Sequence, residues 1–250
     1  MPPQRQNSNQ RTQLRYVGTQ APFIDTQDFQ IASFALKVNI NDIRRYLAQE
    51  LAANRTFRAV WEASREIHAE DVEDGRYDTN TLSEFYIAII AYSFEYQGVQ
   101  IYVDFNAKSR QMKNLSSWNA FPYKSLYCLL AQSVKYVRSV PDARATRIKL
   151  YRGLNFVFPC QVNQKISFGQ FASFSTSEGV ARRFMGNSGT LFEIQPPVQP
   201  KTTVGIEPYS FIDDEEEVLV MAWSQFVVKR IIREQNKVIL ESVDNKAVKV

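Results

Sequence analysis

The sequence predicts an α+β protein in which helices precede strands, and three observations carry that prediction. Apolar residues recur at helical spacing through roughly the first 140 positions. Beyond Pro141 the pattern changes to short runs rich in Val, Ile, Phe and Tyr, separated by Gly, Pro and Asn. The strands do not alternate with helices, which argues for segregated layers and against repeated β-α-β units. With 250 residues, 44% hydrophobic and 13% aromatic, the chain has enough apolar surface for a substantial core.

In chain order, residues 1–20 are rich in Gln, Asn and Arg without an apolar period and read as a disordered polar tail. Residues 21–250 then read as a single domain, with a helical subdomain over about 40–140 and a β-rich half over about 146–243. Ile43, Tyr46, Leu47 and Leu51 share one helix face behind the candidate caps Asn41 and Asp42. Phe57, Val60, Trp61, Ser64 and Ile67 form a second stripe, and the acidic, Asn-containing segment 69–81 reads as a loop. Leu82, Phe85, Tyr86, Ile89 and Ile90 open a third helix, while Leu126, Leu129, Leu130, Val134 and Val137 mark a long one that ends before Pro141. Strands are predicted at 148–154, 166–168, 171–175, 190–194, 202–207, 217–223, 226–233 and 237–242, with a short helix at 178–185.

Composition removes several function classes. The net charge of +4 is carried by the ends: residues 1–20 hold Arg5, Arg11 and Arg15 with no acid, and 229–250 have three more bases than acids. The body between them is at −2, so no specific nucleic-acid surface is expected. No apolar run reaches the roughly eighteen residues of a membrane span. The start has charges but no signal-like apolar stretch, and Cys128 and Cys160 sit in apolar surroundings, so reduced cysteines and an intracellular, cytoplasmic location are expected. One histidine, His68, leaves no multi-histidine metal site and no ordinary nucleophile–histidine pair; no metal is expected.

The conspicuous chemistry is the acidic run Asp213-Asp214-Glu215-Glu216-Glu217 at the start of an apolar strand. Such a run is most often solvated charge. If extended backbone begins at Glu215, however, the two-residue period puts Glu215 and Glu217 on one face. Arg152 interrupts the apolar strand Leu150-Tyr151-Arg152-Gly153-Leu154, where an ion-pair or surface role is the ordinary explanation. Ser175-Thr176-Ser177 joins a strand to the helix at 178–185, where a helix cap is the ordinary explanation.

Taken together, Tyr151-Arg152-Gly153, 166–177 and 215–219 resemble the Arg, Ser-Thr-Ser, Glu-x-Glu signature of arginine-specific mono-ADP-ribosyltransferases. That clade includes cholera-like toxins and animal ecto-enzymes. The segments 53–67, 88–110, 121–134 and 189–194 are similar to the animal enzymes as well, so the resemblance spans about residues 53 to 242. It implies two small β-sheets packed around an NAD cleft, with the helices on one side. It implies that Arg152 contacts the phosphates of NAD, that Gly153 presents its backbone to the nicotinamide amide, and that Ser175 holds the nicotinamide ribose and orients the catalytic acid. Phe184 would stack on nicotinamide, Glu217 would be the acid bonding the ribose hydroxyl, and Glu215 would receive the acceptor beside Phe211. The implied partners are NAD, as substrate, and a protein with an exposed arginine; a monomer is expected. Secreted animal members have four framework cysteines where this chain has two, which weighs against the extracellular version.

The residue types suit that chemistry. Cleavage of the ribose–nicotinamide bond passes through an oxocarbenium-like state, which one fixed carboxylate stabilises. The leaving group is already cationic and needs no general acid. A guanidinium, with a pKa above about 12, is a poor nucleophile and needs a second carboxylate to orient and deprotonate it. Two alternatives stay open: an NAD glycohydrolase of the same fold, with water as acceptor, and an inactive binding module.

Overall fold

The computed structural model describes residues 6–7, 29–75, 77, 80–112, 114–137, 147–198, 202–206, 212–213 and 216–243. Strand β1 (Gln6–Asn7) precedes helices α1 (Phe29–Ala35), α2 (Ile40–Ala53), α3 (Arg55–Glu73) and α4 (Ser83–Ser93). A short hairpin, β2 (Glu95–Tyr96) and β3 (Val99–Gln100), leads into α5 (Ile101–Ser109), α6 (Leu115–Asn119) and α7 (Lys124–Tyr136). The second half holds β4 (Leu150–Leu154), β5 (Lys165–Ser167), β6 (Ala172–Ser175), α8 (Glu178–Met185), β7 (Thr190–Gln195) and β8 (Thr203–Gly205). It ends with β9 (Ile212–Asp213), β10 (Glu217–Val220), β11 (Gln225–Ile232) and β12 (Lys237–Ser242). This is the α+β layout expected from the sequence.

Eight strands form one hydrogen-bonded ladder in the order β5-β11-β12-β7-β4-β6-β10-β8. The ladder is nearly two sheets. Five residue pairs join β4 to β7, but a single pair, Tyr151 with Ser175, joins β4 to β6. The expected pair of small sheets is thus present as two blocks of strands that fork apart beyond one shared rung. A separate parallel pair joins β1 to β9.

Two apolar cores follow from strand alternation. Val218 and Val220 of β10 pack with Ala172 and Phe174 of β6 in a core built among the strands. Leu219 points the other way, into the core of the helices, together with Phe171, Met221 and Trp223. The helical layer therefore lies on the face of β10 that also carries Glu217, two residues before Leu219.

Local departures from the sequence reading have physical causes. The cap of α2 is Asn39, whose Oδ1 accepts from Asp42 N at 3.0 Å; Asn41 and Asp42 lie inside the first turn. Helix α3 continues through the first five residues of the expected loop 69–81. Its acidic end is held because buried Asp71 accepts from Tyr77 Oη at 2.9 Å and His68 stacks on Tyr77, centroids 4.8 Å apart. Burial holds the His68 imidazole below its usual pKa, as befits a structural residue. Both cysteines are free thiols, Cys128 buried and Cys160 half-buried. Among the described residues no helix is long and apolar enough to cross a membrane.

Candidate active site

Strands β4, β6 and β10 bring the three signature positions together. Glu217 opens β10 directly opposite Ser175 at the end of β6, and Ser175 is opposite Tyr151, the neighbour of Arg152. Glu217 is 2% exposed and Ser175 5%, so both are withdrawn from bulk water. The Ser175 hydroxyl accepts from Ser177 N at 3.0 Å, a local turn that leads the chain into α8.

Arg152 fills the fork between the two strand blocks. Its guanidinium lies 6.0 Å from the centre of the Phe174 ring, and Nη1 donates to Ser173 O at 2.6 Å. From there it lines one side of a small solvent-open cavity, with Ser173 and Glu217. Opposite charges thus share a small space at the edge of a dry sheet, where electrostatic effects are stronger than in water.

The remaining wall comes from helices that the sequence reading did not connect with the site: Tyr92 and Ser93 of α4, Tyr102 and Asn106 of α5. Tyr92 Oη donates to Phe171 O at 2.9 Å and therefore accepts from Asn106 Nδ2 at 3.0 Å. This relay fixes which way the Asn106 amide points. Its Oδ1 is buried without a hydrogen-bond partner among the described residues, and Asn106 is 7% exposed. A buried acceptor left open beside a cavity fits a ligand that brings hydroxyl or amide N–H donors, as the ribose and carboxamide of NAD would. The available signal was the spacing: Tyr102 and Asn106, four apart, share a helix face.

Gly153 has a demonstrable structural duty. A Cβ there would lie 2.0 Å from Ala181 O and 2.6 Å from Met185 N, so its absence lets α8 rest backbone-to-backbone on β4. Glu178, first residue of α8, also accepts from Lys237 Nζ at 3.1 Å, and Lys237 bridges to buried Glu193 at 3.0 Å. Phe184 lies half-buried on this helix and is not part of the cavity wall. Phe211 and Glu215 lie outside the described residues. One expectation about the acidic run is corrected: β10 begins at Glu217 and Glu216 has φ +45°, so the extended run does not continue back through Glu216 and the two-residue period expected across it is broken there. Among the described residues no group of His, Cys, Asp or Glu is arranged to hold a metal ion.

The model of the NAD:arginine ADP-ribosyltransferase family matches residues 26–248. T-cell ecto-ADP-ribosyltransferase 2 of Rattus norvegicus is 28% identical over 207 residues, covering 80% of this chain and 67% of that protein. Ecto-ADP-ribosyltransferase 5 of Bos taurus is 28% identical over 201 residues, covering 76% of this chain and 60% of its own. The chain thus spans about three fifths to two thirds of these relatives' length. The crystal structure of the eukaryotic mono-ADP-ribosyltransferase ART2.2 superposes with a TM-score of 0.68 at 24% identity, covering 85% of this chain and 90% of that one. A mutant of ART2.2 in complex with NAD gives a TM-score of 0.69 at the same identity and coverage. At this identity the likeness is one of fold.

Proposed function

The chain belongs to the NAD:arginine ADP-ribosyltransferase family, and from that premise we propose that it transfers ADP-ribose from NAD to an arginine side chain of an acceptor protein, releasing nicotinamide. The observation that carries this reading is the convergence of Arg152 and Glu217, from strands that are not adjacent, on one cavity beside Ser175. A family signature scattered over the molecule would not support it.

In this reading Arg152 neutralises phosphate charge and is itself held by Ser173 O and the Phe174 ring. Glu217, buried and fixed by its ladder position, bonds a ribose hydroxyl and stabilises the cationic character that develops at the ribose as nicotinamide departs. Ser175, opposite it, supports its orientation and the nicotinamide ribose. Gly153 offers backbone to the nicotinamide amide, Phe184 stacks on the ring, and Glu215 with Phe211 receives the acceptor. Asn106 adds an acceptor from the helical side.

The relatives carry "ecto" in their names, so the cytoplasmic expectation finds no support in them, and a secreted or surface location fits them better. The test of function is incubation with labelled NAD and a mixed protein extract, followed by mass spectrometry of the modified side chain. Label on arginine is expected. Free ADP-ribose without labelled protein would favour the glycohydrolase reading, and label on another side chain would overturn the arginine specificity.

A further inference from the structure

A row of paired residues crosses the ladder from the cavity to the far strand block. Glu217 of β10 pairs with Ser175 of β6, Ser175 with Tyr151 of β4, and Tyr151 with Glu193 of β7. The row carries a carboxylate at each end, and its middle step, Ser175 with Tyr151, is the single rung that joins the two blocks. Glu193 is buried and compensated: Lys149 Nζ lies 2.8 Å from its Oε1 and Lys237 Nζ 3.0 Å from its Oε2. Lys237 is buried too, with its ammonium 5.9 Å from the centre of the Tyr151 ring, and it donates to Glu178 at 3.1 Å. Burying an ammonium is costly even between acids, and apolar side chains of similar volume would serve stability as well. They would not supply a directed bond to the first residue of α8. That residue, Glu178, follows Ser175 by three positions, and the Ser175 hydroxyl accepts from Ser177 N between them. Lys237 therefore closes a second path across the fork, from Ser175 through Ser177 and Glu178 to Glu193, which pairs back to Tyr151. One rung leaves two strands free to pivot about it; a second path removes that freedom.

We propose that Lys237 is a positioning residue for nicotinamide release, which holds the first residue of α8 to β7 and so keeps Ser175 in place opposite Glu217. This rests on the proposed transferase reading. In the step concerned, the C1′–N bond to nicotinamide breaks and its electron pair leaves with the neutral ring. A guanidine nitrogen, or water, then bonds to C1′ and gives up a proton. Lys237 is not part of the cavity wall, and it acts through the strand end that carries Ser175. Two features separate this role from general charge balance. Without Lys237 each acid retains a base, Lys149 on Glu193 and Arg182 on Glu178 at 2.7 Å, so no buried charge is left uncompensated. Lys149 pairs with the same Glu193 but forms no ion pair with α8 among the described residues. It carries the same charge into the network without the tie.

The experiment measures nicotinamide release from NAD, with agmatine as the guanidine acceptor, and NAD binding by calorimetric titration. Lys237→Met removes the ammonium from a chain of similar length, and Glu178→Ala removes its partner on α8. Each is expected to lower kcat about tenfold, with the KM for NAD within about twofold, and the double variant should lose no more than either single one. An NAD stoichiometry equal to that of the wild type separates slower turnover from a smaller folded fraction. Lys237→Arg and Glu178→Gln keep a donor and an acceptor and should recover kcat to within about twofold. Lys149→Met, which takes the same charge from Glu193 without touching α8, should leave kcat unaltered. If Lys237→Met does not fold, the Glu178→Ala and Glu178→Gln pair reads the same contrast. An unchanged kcat in the tie variants, an equal fall in Lys149→Met, or additive losses in the double variant would overturn the positioning role. A wild-type protein that releases no nicotinamide would overturn the transferase reading and the positioning role with it, a result distinct from normal turnover in every variant.

Discussion

The helical half and the strand half each bury a carboxylate, and they surround it differently. Glu50 of α2, 9% exposed, accepts from Lys124 N at 2.5 Å, from Ser125 N at 3.2 Å and from the Ser125 hydroxyl. It thereby satisfies the opening N–H groups of α7 from a distant helix, and it forms no part of the cavity wall. Glu217, 2% exposed, lies at a strand end with a cavity and Arg152 beside it. Burial pushes the Glu50 carboxyl up to about 7, against the lowering effect of the bonds from Ser125 and Lys124. One acid is used up in joining two helices; the other keeps a face toward a space that a ligand can enter.

The largest effect that tests this contrast is on Glu217. Glu217→Gln keeps size and removes charge, and it is expected to lower NAD turnover at least about a hundredfold, the loss of a stabilising group worth roughly 3–4 kcal/mol. Its melting temperature should stay close to that of the wild type, since Gln matches the size of the buried side chain and still offers an acceptor oxygen. Near-normal nicotinamide release by this variant would end the distinction between the two carboxylates.

A second test concerns how the strand half is assembled. α8 sits on β4 without intervening side chains, so Gly153→Ala must push the helix backbone away from Ala181 O. Destabilisation of about 3 kcal/mol is expected, the upper range for overpacking, and chemical denaturation measures it. A loss of NAD affinity with unchanged stability would instead assign Gly153 to the ligand alone.

Glu50 predicts the third effect, and its sign follows from proton binding. Its folded pKa lies above the unfolded one, so the folded state holds the extra proton between about pH 4.5 and 7. The stability this contributes is complete below the unfolded pKa and is lost as pH rises through about 7. Glu50→Gln keeps an acceptor for the α7 N–H groups without the buried charge. It should gain on the wild type by about 3 kcal/mol at pH 8 relative to pH 4, and leave activity unaltered. Equal pH dependence in the two proteins would show that Glu50 is not buried as described.

Much of this architecture was legible because it is local. The strand at 237–242 and the helix at 178–185 have the predicted bounds, each set by a run of apolar periodicity between breakers. Arg152, Ser175 and Glu217 were legible through the order of their motifs, and the ladder places them within reach of one another. Glu216 was not: a single left-handed residue leaves no trace in a two-residue period, and it marks where the extended run of β10 stops. Gly153 was read for a ligand, while its contact with α8 depends on a helix some thirty residues further on. The helical wall of the cavity was hidden for the same reason, since α5 and β10 are separated by more than 100 residues of chain.

That wall gives the smallest effect and the finest discrimination between the halves. Asn106 belongs by position to the helical core, yet its amide is oriented toward the strand site by the relay from Phe171 O through Tyr92 Oη. If its Oδ1 accepts from NAD, Asn106→Ala removes one neutral hydrogen bond, expected to weaken NAD binding about fivefold to tenfold, roughly 1 kcal/mol. Tyr92→Phe keeps the ring but deletes the hydroxyl that orients the amide, so it should produce part of the same loss without touching the ligand. Calorimetric titration with NAD reads both. An Asn106→Ala variant that binds NAD as tightly as the wild type, while Glu217→Gln retains binding and loses turnover, would confine the working surface to the strands and leave the helices as support.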